Sequence, residues 1–149
     1  MNPDHEAAHL IRTGIAEAVA WGEVTWVPLN GTWRGRVESC ASKLSDVQLE
    51  VEFQVRPGRP NEPSVLVLAG SLCLLRLDHN QVHQGRWGTH IQSSADRSLL
   101  MWPQPEDAGS PPATGEVSAQ QVKIACLKGA AVLGVNTKGV IWIDPPDGV

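Results

Sequence analysis

The chain reads as a single α+β domain: a curved antiparallel sheet with an N-terminal helix and a C-terminal helix plus hairpin. Three observations predict it. Residues 46–56 alternate strictly, with Val47, Leu49, Val51, Phe53 and Val55 on one side and Gln48, Glu50, Glu52 and Gln54 on the other. That is the pattern of a strand with one buried and one wet face, typical of an antiparallel sheet. Asn30-Gly31, between two strand-like runs, is a hairpin turn. Near the N-terminus, Ala8, Leu10, Ile11, Ile15, Ala18 and Val19 recur at three- and four-residue steps, which predicts a helix.

In chain order, that helix is expected over residues 5–20, with Asp4 as N-cap, Glu6 in the first turn and Trp21-Gly22 as the stop. Gly14 weakens it by about 1 kcal/mol relative to Ala without breaking it. Val24, Trp26 and Pro28 alternate with Thr25 and Val27, and the Asn30-Gly31 turn leads into a strand over 32–38. After the strand at 46–56, a Pro/Gly-rich connector spans 57–63. Residues 64–69 and 72–77 are apolar on both faces and form two central strands around Gly70-Ser71. A segment containing His79, His83 and His90 follows, with Gly85 and Gly88 permitting tight turns, and 97–102 is a further short strand. Residues 103–115, with four prolines and two glycines, form a surface loop inside the domain 1–149, because too few residues follow it for a second core. The tail is expected as a helix over 117–128 and a hairpin of 131–135 with 140–144 around residues 136–139.

Bulk properties exclude several classes. With 149 residues, 42% hydrophobic and 19% charged, the chain is neither disordered nor disulfide-dependent in composition. No apolar run approaches the roughly 18 residues needed to cross a bilayer, and the N-terminus has no basic stretch before an apolar one, so no secretory signal is expected. Cys40, Cys73 and Cys126 are widely spaced and odd in number, which fits reduced thiols and a cytoplasmic home. None has a histidine beside it, so none is a candidate nucleophile. A net charge of −4 argues against a generic nucleic-acid coat. Yet residues 31–97 hold eight basic groups, seven of them arginine, whose planar fork suits phosphate and carboxylate.

The candidate site is the run Arg76-Leu77-Asp78-His79, His83, Thr89-His90, which packs three of the five histidines into residues 79–90. Alternation puts Arg76 and Asp78 on one strand face and His79 on the other. With a strand ending near Asp78, His79 and His83 come from a loop and His90 from the next strand. Two imidazoles can remove and deliver protons in metal-independent RNA cleavage. An arginine can stabilise the phosphorane, and an aspartate can fix a histidine tautomer. His79, His83, His90 and Asp78 also offer a metal three nitrogens and an oxygen, but at a spacing that matches no standard zinc signature. His5 and His9 stand at i,i+4, a spacing that can chelate metal, and read as the solvent-facing edge of the first helix. Trp21, Trp26, Trp33, Trp102 and Trp142 are expected to pack the sheet, while Trp87, inside the histidine segment, is free to stack on a base.

The alternating strand at 47–55, the connector 56–63, the apolar strand 65–68, Leu74-Leu75-Arg76-Leu77-Asp78, His83 and Thr89-His90-Ile91-Gln92 follow one another in a recognisable order. This stretch, under a third of the chain, resembles a family of small prokaryotic proteins related to TumE-type toxins of toxin–antitoxin systems. The resemblance implies that Arg76, Asp78, His83 and His90 line the site of an RNA-directed toxin that a partner protein neutralises. Gln92 stands where the family pattern has the second histidine of its closing pair. Glutamine cannot transfer protons, so either His79 substitutes or this chain has lost catalysis.

The resulting expectation is a toxin-like RNA endonuclease of a toxin–antitoxin or defence system. His83 and His90 would be acid and base, Arg76 the phosphate clamp and Asp78 the orienting carboxylate. Arg86, Trp87, His79 and Gln92 would contact substrate, with no metal and no cofactor. RNA and a cognate antitoxin or other protein are the expected partners, and a membrane is not. The alternative is a non-catalytic protein-binding or inhibitor module that uses the same Arg–Asp–His surface.

Overall fold

The computed structural model describes residues 3–146. The elements run α1 (Pro3–Arg12), β1 (Ala18–Leu29), β2 (Thr32–Ala41), β3 (Leu49–Val55), β4 (Ser64–Ala69), β5 (Leu72–His83), β6 (Arg86–Gln92), β7 (Leu100–Met101), α2 (Pro105–Ala108), α3 (Ala119–Val132) and β8 (Val135–Ile141). The strands form one curved, open sheet in the order β7-β6-β5-β4-β3-β2-β1-β8. Consecutive strands from β1 to β7 pair antiparallel, and β8 joins β1 in parallel. The α+β class stands, with a mixed rather than wholly antiparallel sheet. Among the described residues, no helix is long and apolar enough to cross a membrane.

Local chemistry accounts for most of the elements. Asn30 (φ 51°) and Gly31 (φ 76°) both take left-handed backbone, as a two-residue hairpin turn demands, and set Leu29 opposite Thr32. Ser118 caps α3 through the Gln121 amide N–H while the Gln121 side chain accepts from the Ser118 N–H, a reciprocal capping box. On β3, Leu49, Val51, Phe53 and Val55 are buried, as the alternation predicts. The face expected to be wet is not uniformly so, because Glu52 is buried too.

Two expectations fail. The first helix does not run to residue 20. Gly14 turns left-handed (φ 82°) just after α1, and residues 18–29 instead pair with β2 from Ala18 opposite Ala41. Ala18-Val19-Ala20-Trp21 then alternates buried and exposed, a period-two pattern that an alanine-rich stretch tolerates as readily as a helix. The second failure is the C-terminal hairpin. Residues 135–141 form the single strand β8, and the turn-like 136–139 lies within it. The α3 crossover returns the chain along β1, placing Val135 opposite Ala18 and Gly139 opposite Trp21. Beyond β8, Trp142 packs edge-on against Trp26 and Phe53, and Trp26 Nε1 donates to the Ile143 carbonyl at 2.7 Å. The 103–115 loop contains α2.

The helices share one apolar cluster with the face carrying Phe53, Val65, Leu77 and Ile91. α3 approaches that face closely at Gly129, where an added Cβ would stand 3.0 Å from Val65 and 3.2 Å from His79. Gly134 links α3 to β8 at φ 96°, and a Cβ there would meet the Ile11 carbonyl oxygen at 1.8 Å. Gly134→Ala is therefore expected to destabilise the fold by more than about 2 kcal/mol, from backbone strain and separation of α1 from α3. A urea unfolding curve unchanged by this substitution would refute the packing described.

Candidate functional site

Cross-strand register builds a polar surface on the sheet face turned away from α3. Residues directly opposite in paired strands share a face. One row runs Arg36, Glu52, Leu66, Arg76, Gln92 and Leu100; the next runs Arg34, Gln54, Ser64, Asp78 and His90. The predicted Arg76, Asp78, His90 and Gln92 thus come together on two neighbouring strands.

Asp78 is the centre. Its Oδ1 accepts from Ser64 Oγ at 2.5 Å and Arg76 Nε at 2.7 Å. Its Oδ2 accepts from Gln92 Nε2 at 3.0 Å and faces His90 Nε2 at 3.3 Å. Burial works to raise the Asp78 carboxyl, but His90, Arg76 and Ser64 outweigh it and hold the group well below the usual carboxylate range. Glu52 repeats this solution two strands away, accepting from Arg34, Arg36 and Gln54. Burial opposes its ionisation too, and these donors again keep its carboxyl below the ordinary value.

A β-bulge decides where the histidines go. Asp78 stands opposite His90 and Gln81 opposite Gly88, so His79 and Asn80 together oppose the single Thr89, with Asn80 at φ 54°. Asp78 and His83 are an odd number of residues apart and would face opposite ways on a regular strand. The extra residue brings His83 back to the Asp78 side, where its ring centroid lies 5.1 Å from that of His90. His83 is thus on β5, not in a loop, and borders a cleft of about 330 Å³ with Gln84, Gln92, Ser93, Arg97, Leu99 and Leu100. Arg86, opposite His83, lies with its Cζ 4.0 Å from the Trp102 ring, which in turn is 5.0 Å from His90. Trp102, expected as packing, is therefore part of the site.

Two predicted residues are elsewhere. His79 points to the α3 side, its Nε2 donating to the Ala125 carbonyl at 2.8 Å and its Nδ1 accepting from the Ser110 hydroxyl at 2.7 Å. Burial pushes its pKa down to about 4, against the pull of the Ala125 carbonyl and Asp78. It lies fully buried between the sheet and α3, on the face opposite Asp78. Trp87 pairs with Val82 on the face opposite His83 and Arg86, so it does not join this site. Burial also raises the Cys73 thiol to about 11 and Cys126 further, so neither is an activated nucleophile.

His90 itself is sealed. Only 1% of it is exposed, Nε2 faces Asp78, and Nδ1 donates to the Gly88 carbonyl at 3.1 Å. Both ring nitrogens are thereby occupied by acceptors of the protein.

A second cluster lies at α1. His5 Nε2 is 2.6 Å from Asp96 Oδ1 and His9 Nε2 is 2.6 Å from Asp96 Oδ2, and the three ligand atoms lie within 4.8 Å of one another. Reading His5 and His9 as a helix edge misses it. The available signal was His5-Glu6-Ala7-Ala8-His9, the H-E-x-x-H spacing of helical metal sites. Asp96 had no such signal, standing 87 residues from His9.

No family model, no curated protein and no solved structure matches the chain.

Asp78→Asn would leave Arg76 without its buried counter-charge and should cost about 3 kcal/mol or more; an unchanged denaturation midpoint would refute the assignment of Asp78 as the organising charge. His79 supplies a pH test. Its folded pKa lies below the ordinary value of 6.5, so its contribution is intact above about pH 6.5 and is lost as pH falls towards 4. The unfolded chain takes up a proton there that the buried ring refuses, a loss on the order of 3 kcal/mol. Unfolding measured between pH 7 and pH 4 should show this slope, and His79→Gln should flatten it.

Proposed function

We propose that the chain is a non-catalytic binding protein whose polar sheet face docks a carboxylate-rich surface of a protein partner. The observation that carries this reading is the arrangement of charge: Glu52 and Asp78 are buried beneath the arginines they hold. The side chains of Arg34, Arg36 and Arg76 remain 29%, 43% and 30% exposed. Solvent therefore meets guanidinium groups above two buried carboxylates, with Arg36 also paired at 3.2 Å to the half-exposed Glu50 on the same face. Trp21, Val27 and Leu29 extend the same face as exposed apolar contacts. Arginine and tryptophan beside one another are the residue types that concentrate binding energy at protein interfaces. The net charge of −4 argues against an RNA backbone, whose binding is driven by phosphate neutralisation.

The second reading is the toxin-like ribonuclease, favoured by His83 standing beside His90 at the edge of the cleft. Against it, a proton shuttle needs a ring nitrogen within reach of substrate, and His90 has none to offer.

One experiment separates them. Purified protein is incubated with total RNA from pH 5 to 8, and its retention on immobilised polyglutamate is measured beside that of Arg36→Ala. Binding predicts intact RNA and retention weakened about tenfold in the variant at low salt. RNA cleavage abolished by His83→Ala would replace this reading with the nuclease. Retention equal in wild type and Arg36→Ala would reject the arginine face as the docking surface.

A further inference from the structure

We propose that His5, His9 and Asp96 form a binding site for a divalent transition metal, zinc in the first instance, with coordination positions open to solvent. The site is independent of the sheet-face reading, since it shares no side chain with it.

The sequence places the two histidines one helical turn apart, so both imidazoles leave α1 on the same face. Asp96 comes from the connection between β6 and β7 and sets one carboxylate oxygen against each Nε2, at 2.6 Å in both cases. Two neutral imidazoles and one carboxylate are the protein ligands of many zinc and iron sites that keep a position for water. In a tetrahedral site with bonds of about 2.1 Å, neighbouring ligand atoms stand about 3.4 Å apart. Opening each N–O separation by less than about 1 Å would therefore admit the ion.

The surroundings fit this use. Asp96 is only 3% exposed, and its Oδ1 accepts from the Ser98 N–H at 2.9 Å and the Ser98 hydroxyl at 2.6 Å. Ser93 Oγ accepts from the Ala95 and Asp96 amides, fixing the turn that carries the carboxylate. Such outer hydrogen bonds orient a ligand and tune its basicity. The imidazoles are 34% and 45% exposed, so the side of the cluster away from Asp96 is accessible to an ion and its water. Glu6 completes His-Glu-x-x-His, and helical rotation of about 100° per residue puts it on the face beside His9. In metal hydrolases of this spacing, that glutamate serves as base for the metal-bound water.

The test is titration of the metal-stripped full chain with Co²⁺, followed by visible absorption, then displacement by Zn²⁺. One equivalent should develop ligand-field bands that Zn²⁺ removes. His5→Gln and His9→Gln, checked for folding by circular dichroism, should each weaken binding more than about a hundredfold, and Ser98→Ala about tenfold. Imidazole NMR resonances of the unmodified protein provide a readout that requires no variant. Zn²⁺ should shift those of His5 and His9 and spare His79. Absent bands, equal affinity in both histidine variants, or shifts confined to other histidines would overturn the proposal and leave an ion-paired cluster or an adventitious ion only.

Discussion

A carboxylate can stay ionised inside a sheet only if donors replace the water it loses, and Asp78 draws its donors from three strands. Ser64 comes from β4, Arg76 from its own strand β5, and His90 and Gln92 from β6. Each donor reaches the carboxylate only in the observed register, so the charge acts as a pin on the pairing of these strands. A slip of one residue in β6 would replace His90 and Gln92 by the residues beside them, Thr89 and Ile91, which belong to the other face. The same condition governs Glu52, whose donors on β2 tie the neighbouring pair. The sheet thus has two different faces: α3 seals one with apolar contact, while the other is held by charges paired below the surface. The proposed docking surface follows from how that second face is made stable.

How much of this was legible in the sequence depended on whether the deciding interaction was local. The Asn30-Gly31 turn, the β3 alternation and the Gly70-Ser71 connection were readable because the residues themselves specify the backbone. The extent of α1 was not, since Ala18, Val19 and Ala20 suit either period and the choice falls to their pairing with β2, 19 to 23 residues later in sequence. The tail failed likewise: 136–139 has turn composition, but an unpaired β1 edge lies beside it and recruits the segment as a parallel strand.

The site divides along the same line. Arg76 with Asp78, and His90 with Gln92, are two residues apart on regular stretches, so alternation alone assigns each pair to one face. Between them the bulge at His79-Asn80 inverts the parity of the strand. Alternation alone already sends His79 into the α3 interface, and the insertion returns His83 to the polar side, the reverse of a simple reading for that residue. Ser64 and Trp102 were missed for a different reason: their roles depend on strands whose partners a single sequence does not announce.

The segment between β6 and β7 links the two centres. Gln92 ends β6 on the Asp78 carboxylate, Ser93 and Arg97 border the cleft beside His83, and Asp96, between them, holds the α1 histidines. A serine hydroxyl on each side of Asp96 keeps its short turn rigid. The carboxylate is therefore not free to follow α1 without carrying the cleft wall with it. The stiffness that lets Asp96 act as a preorganised ligand also makes the placement of α1 a condition on the shape of the cleft. A chain with a short, partly exposed first helix needs such an anchor, because ten residues of helix are too few to hold their place by propensity alone.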